Sequence, residues 1–148
     1  MSAQDATAWI RKARQDALSA RRLHIDPPEP EDAAFHVHQA AEKAFKAILV
    51  AAGIRYPRGR GAGHDLNALA ALIPGSAQAQ AHVLADLTPW ATAFRYPADD
   101  PHTAEPAPDK PEIERRLAAV EAFIAAPRPA SPAPDAIRSR VVGRQCVM

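Results

Sequence analysis

The chain has 148 residues and a formal net charge of +1, from 18 Lys and Arg against 17 Asp and Glu. That length suits one domain with a hydrophobic core of its own. The charge balance excludes a protein drawn to nucleic acid or membrane by bulk charge, so only local clusters can act. A lone cysteine, Cys146, excludes an intrachain disulfide and a cysteine metal site. Such cysteine usage fits a reducing cytoplasm, the expected location. No apolar run approaches the roughly 18 residues that span a bilayer, so no membrane role is expected. The opening MSAQDATAW lacks the basic and apolar regions of a secretory signal. Cys146 stands one position too late for a prenylation box.

Helix one is predicted over Ala3–His24. Trp9, Ala13, Ala17, Ala20 and Leu23 recur at three- and four-residue spacing and form one apolar stripe. Asp16 sits near the edge of that stripe, and Arg11, Arg14, Arg21 and Arg22 lie off it. The prolines of DPPEPEDAA then end the helix. Helix two is predicted from Asp32, as N-cap, to Ala52, with Gly53 as its stop. Phe35, Ala41, Ala44, Phe45, Ile48 and Leu49 give it a broad apolar face, and Gln39, Glu42, Lys43 and Lys46 a dense polar one. Glu42 and Lys46 stand i,i+4 in the favourable order. The apolar arc is wider than one neighbouring helix covers. Alanines at 40, 41, 44, 47, 51 and 52 would admit a second helix closely, which predicts a two-fold homodimer.

Ile54–His64 is read as a loop carrying Arg55, Arg58 and Arg60 among glycines at 59, 61 and 63. It could cradle a phosphate or be a mobile basic surface loop. The Walker pattern is absent and no strand precedes it. A short helix follows over Asp65–Ile73 and is ended by Pro74 and Gly75. The next helix covers Ala77–Leu87. Thr88-Pro89 reads as an N-cap followed by Pro at the first helical position. Either a new turn begins there or the helix kinks, and the segment carries Trp90 and Phe94 and stops at Tyr96-Pro97. Ala98–Pro111 is a proline-broken acidic loop. The last helix, Pro111–Ala125, has Ile113, Leu117, Val120 and Ile124 as its stripe. From Pro127 the composition cannot pack a core and is expected to be disordered. The predicted architecture is therefore an all-α bundle of four to five helices over residues 1–126, with a tail at 127–148. No strand and no internal repeat is readable.

Several polar residues admit two readings. His64-Asp65 is better explained as a helix start, with Asp65 the cap, than as a catalytic pair. His36 and His38 project roughly 200° apart on a helix, so they cannot share a metal. Gln39, Glu42, Lys43 and Lys46 could line a site or form a solvated face. Arg95 and His102 could supply a phosphate-binding cation and a proton-transfer group. Alternatively, Arg95 caps a helix end and His102 is a solvated loop residue.

The order of these pieces resembles the HEPN domain. The matching residues are Trp9 and Asp16, FHxxQAAEKAxKA at Phe35–Ala47, Gly63 with HDL at His64–Leu66, and FRYP at Phe94–Pro97. The resemblance runs over roughly residues 3 to 125. It implies an antiparallel up-and-down helical bundle that dimerises, often encoded beside a minimal nucleotidyltransferase in a toxin–antitoxin-like pair. It also implies either metal-independent ribonuclease activity or a nucleotide-related site. The ribonuclease members resemble one another in an arginine and a histidine a few residues apart, which Arg95 and His102 match. The FRYP form is also similar to a compact subgroup in which those residues are degenerate. The candidate site so assembled has Arg95 and His102 as catalytic residues. Asp16, Gln39, Glu42, Lys43, Lys46 and Tyr96 bind RNA or nucleotide, and neither metal nor cofactor is implied. The alternative is a non-catalytic helical dimerisation or protein-binding module.

Overall fold

The computed structural model describes residues 3–59 and 61–128. The expectations for Arg60 and for the tail from 129 onward lie outside the described residues. Five α-helices follow one another: α1 (Ala3–Leu23), α2 (Pro30–Ala51), α3 (Leu66–Leu72), α4 (Ala77–Leu84) and α5 (Lys110–Ala125). Short 3₁₀ segments lie at Ala62–His64, Ala85–Ala91 and Pro101–Thr103, and no strand occurs among the described residues. No helix is long and apolar enough to cross a membrane.

α1 and α2 form an antiparallel pair, since Asp16 meets His36 and Lys43 while Trp9 meets Lys46. Small residues make this approach close. Ala13, Ala17 and Ala20 of α1, and Ala33, Ala34, Ala40, Ala41 and Ala44 of α2, are all buried. α5 packs against both helices. Phe45 and Phe123 meet edge to face at 5.3 Å and 66° in the core. Leu66 and Leu69 of α3, with Leu87 and Trp90 of the 3₁₀ stretch, close the other side of α2.

This arrangement explains the wide apolar arc of α2. The helix is central, and α1, α3, α5 and the 3₁₀ stretch cover it within one chain. Ala40, Ala41, Ala44 and Ala47 are buried there, while Ala51 and Ala52 are exposed. The arc therefore does not call for a second copy, and the homodimer rests on the family resemblance.

Helix ends follow local chemistry, with two departures from expectation. α2 begins at Pro30 rather than near Asp32, because a proline at the first position has no amide to leave unpaired. It ends as predicted at a glycine. Gly53 takes φ 69°, its N–H bonds Val50 O, and the N–H of Ile54 bonds Leu49 O. Those two bonds form a Schellman stop. Asp65 caps α3, accepting from the N–H of Asn67 at 2.9 Å and of Ala68 at 3.3 Å. The second departure is α4, which ends at Leu84 rather than Leu87 and passes into the Ala85–Ala91 segment, so that no new helix starts at Thr88-Pro89. Pro89 lies inside the Ala85–Ala91 3₁₀ segment. The Thr88 hydroxyl donates to Ala85 O at 2.8 Å and accepts from the N–H of Leu66 at 3.2 Å, tying α3 to that segment.

Candidate functional site

The polar edges of α1 and α2 face one another along a strip. On α2, His36, Gln39, Lys43 and Lys46 recur at three- and four-residue spacing and share one face. On α1, Trp9, Lys12 and Asp16 do the same. Two buried carboxylates organise the strip. Asp16 is 9% exposed, and its Oδ1 accepts from His36 Nδ1 at 2.9 Å while its Oδ2 takes Lys43 Nζ at 2.5 Å. Glu42 is 3% exposed, with Lys46 Nζ at 2.6 Å from Oε1 and His64 Nδ1 at 2.9 Å from Oε2. A carboxylate this far from water needs such partners, because an unpaired buried charge is costly.

His38 lies beneath Glu42 and is completely buried. Its Nε2 is 3.2 Å from His64 O, and a carbonyl only accepts, so Nε2 carries the proton. Burial pushes its pKa below the ordinary 6.5, with Glu42 the largest opposing influence. His38 is thus a neutral donor near neutral pH. Through Glu42 and His38, α2 holds the Ala62–His64 turn at two points.

That grip draws the glycine-rich loop over the end of the strip. Gly63 packs closely there, since an added Cβ would sit 3.3 Å from Pro57 O, tighter than most such contacts. The loop brings Tyr56 and Arg58 toward α1. Lys46 Nζ lies 5.4 Å from the Trp9 ring centre and 5.5 Å from that of Tyr56, within cation–π range of both. The Arg58 guanidinium lies 5.0 Å from the Tyr56 ring centre. Between α1, α2 and this loop opens a cleft of about 990 Å³, lined by Trp9, Lys12, Lys43, Lys46, Tyr56 and Arg58 among others. Among the described residues no group of three His, Cys, Asp or Glu is arranged to hold a metal.

The sequence-predicted residues separate into three sets. Asp16 and Lys43 meet directly, and Glu42 and Lys46 meet directly with Gln39 Nε2 3.5 Å from Glu42 Oε2. Arg95 pairs with neither Asp16 nor Glu42. The oxygens of both carboxylates are occupied by lysines and histidines from nearer in the fold. Arg95 is exposed and stacks on Phe35 at 4.6 Å and on Tyr96 at 5.7 Å. His102 stands apart on the exposed 3₁₀ turn, where Asp100 accepts its backbone N–H at 2.9 Å. Among the described residues no hydrogen bond or ion pair joins His102 to Arg95.

Trp9, Tyr56 and His36 were not foreseen as site residues, and His64 was set aside as part of a helix start. His36 had a signal, because its spacing puts it on the polar face with Gln39, Lys43 and Lys46. His64 stood out only beside Asp65, and the course of the loop brings it back to Glu42 instead. The family model described as HEPN domain matches residues 6–128. No curated protein and no solved structure shows a significant match to the chain.

Proposed function

Because the chain belongs to the HEPN domain family, we propose that it binds single-stranded RNA or nucleotide through the α1–α2 cleft. It does so as the partner of a nucleotidyltransferase in a toxin–antitoxin-like pair. The cleft carries the binding reading. Lysines and an arginine suited to phosphate stand beside two aromatic rings on which bases can stack. Base stacking is tolerant of sequence, so the expected ligand is single-stranded and weakly specific. Arg95 stacked on Phe35 and His102 engaged with Asp100 make no hydrogen bond to each other among the described residues, so the binding reading does not draw on that pair.

Fluorescence anisotropy with a labelled single-stranded RNA tests this, with ATP as competitor to read mononucleotide binding. Tyr56→Ala removes a stacking ring that is only half-buried, so folding should survive. It should weaken RNA binding by about 1–3 kcal/mol. Unchanged affinity would remove the cleft from consideration. Co-purification with the product of a neighbouring nucleotidyltransferase gene reads the partnership. Light scattering reads the homodimer, at about twice 15.9 kDa.

A further inference from the structure

α1 carries a second patterned face. Ile10, Arg14, Ala17, Leu18 and Arg21 recur at three- and four-residue spacing on the side turned away from Trp9, Lys12 and Asp16. Where that side meets α5 and the C-terminal end of α2, an apolar groove opens. One stretch of about 400 Å³ has Ile10, Ile48 and Ile124 in its walls, and the next, of about 350 Å³, has Ala17, Leu18 and Ala125. Arg14 and Ile124 line both, so the two are continuous. Leu18 is 49% exposed there. From Ala6 to Arg21 the groove follows about 22 Å of α1. None of its lining residues belongs to the α1–α2 cleft.

The charges around the groove leave a cationic remainder. Arg21 is neutralised by Glu114 and Glu121. Arg14 is exposed and has no carboxylate partner among the described residues. Arg128 stacks on the Phe123 ring at 4.4 Å and donates to Phe123 O at 2.6 Å. These contacts hold the guanidinium in place without supplying a negative charge. Burial accordingly pushes its pKa below the usual arginine value, with no carboxylate to oppose the shift. We propose that this groove docks an acidic amphipathic helix of a partner protein, its apolar stripe on Ile10, Leu18 and Ile124 and its carboxylates on Arg14 and Arg128. The length of the groove suits about four turns of helix laid along it, and guanidinium forks suit carboxylates. The sign of the charge decides between occupants. The chain's own continuation carries Arg138, Arg140 and Arg144 against Asp135, which is the wrong sign for this rim. A two-fold contact with a second copy would set the same cationic patch against itself. The docking surface goes beyond the RNA-binding reading and does not depend on it.

Fluorescence anisotropy with the full chain tests this. The probe is a labelled synthetic helix of about 15 residues, with leucine on one face and glutamate on the other. The control peptide has lysine in place of every glutamate. The glutamate peptide should bind and the lysine peptide should not. Leu18→Glu puts a charge into the apolar contact, and Arg14→Glu reverses the rim. Each should weaken peptide binding by about tenfold or more. Both side chains are exposed, so the melting temperature should stay as it is. RNA affinity should also be unchanged in Leu18→Glu. Failure of the glutamate peptide to bind, equal binding of both peptides, or binding indifferent to both variants would overturn the inference. A mass near twice 15.9 kDa that Leu18→Glu halves would give the groove to a second copy instead. Peptide binding that appears only when Val141→Ser and Val142→Ser are combined would give it to the chain's own continuation.

Discussion

His38 is the residue whose chemistry is most completely set by its surroundings. It is buried and neutral, and it donates to the turn that closes the cleft. Above the ordinary value of 6.5, folded and unfolded chains both hold this ring neutral. As pH falls through that value, the unfolded chain gains a proton that the folded chain resists. Stability is then lost until pH reaches the lowered folded value. His38→Gln keeps an N–H that can reach His64 O and removes the titration. Urea midpoints measured from neutral to mildly acidic pH should fall less steeply for this variant than for wild type. The two chains differ at this one residue, so the difference between their profiles reports on His38. Parallel profiles would mean that His38 is charged in the fold. Nothing local in the sequence marks His38 for this part, because its environment is made by Glu42 and a turn 26 positions away.

At the scale of elements, local chemistry was a good guide wherever a short-range rule governs. The α2 stop at Gly53, the Asp65 cap and the stripe of Ile113, Leu117, Val120 and Ile124 all stand as read, because each depends on residues within a turn or two. The misreadings arise where tertiary contacts decide. The helix expected to run to Leu87 gives way after Leu84 to a 3₁₀ segment, in which the Thr88 hydroxyl is drawn to Leu66 and Ala85. Arg95 and His102 satisfy a spacing, and what each touches is set by its surroundings, Phe35 and Tyr96 for Arg95 and Asp100 for His102. The glycine stop can be tested directly. Gly53 has φ 69° and open space around the missing Cβ, so alanine there meets backbone strain and no clash. Gly53→Ala should cost about 1–2 kcal/mol, read as a lowered urea midpoint with unchanged slope. Gly63→Ala should differ in kind. Its φ is ordinary, and its Cβ would press lightly on Pro57 O and touch Lys46 Nζ. That change should therefore disturb RNA binding more than stability.

For the whole molecule, the net charge of +1 makes long-range steering weak. Any affinity for RNA must come from the cleft itself, and its salt dependence should count the cations there. Lys43 and Lys46 are neutralised by Asp16 and Glu42. Arg11, Lys12 and Arg58 line the same cleft and make no ion pair among the described residues. Those three are the charges free to displace counterions from a single strand. A single strand gives a slope of about −0.7 per phosphate neutralised, so log affinity against log salt should run near −2. Anisotropy titrations between about 50 and about 200 mM salt measure it. A slope near zero would mean that the ligand does not lie along the cations. A slope near twice the expected one, with a mass near twice 15.9 kDa, would show two clefts sharing one strand. That result would make the homodimer a part of the RNA site, even though the apolar arc of α2 is already covered within each chain.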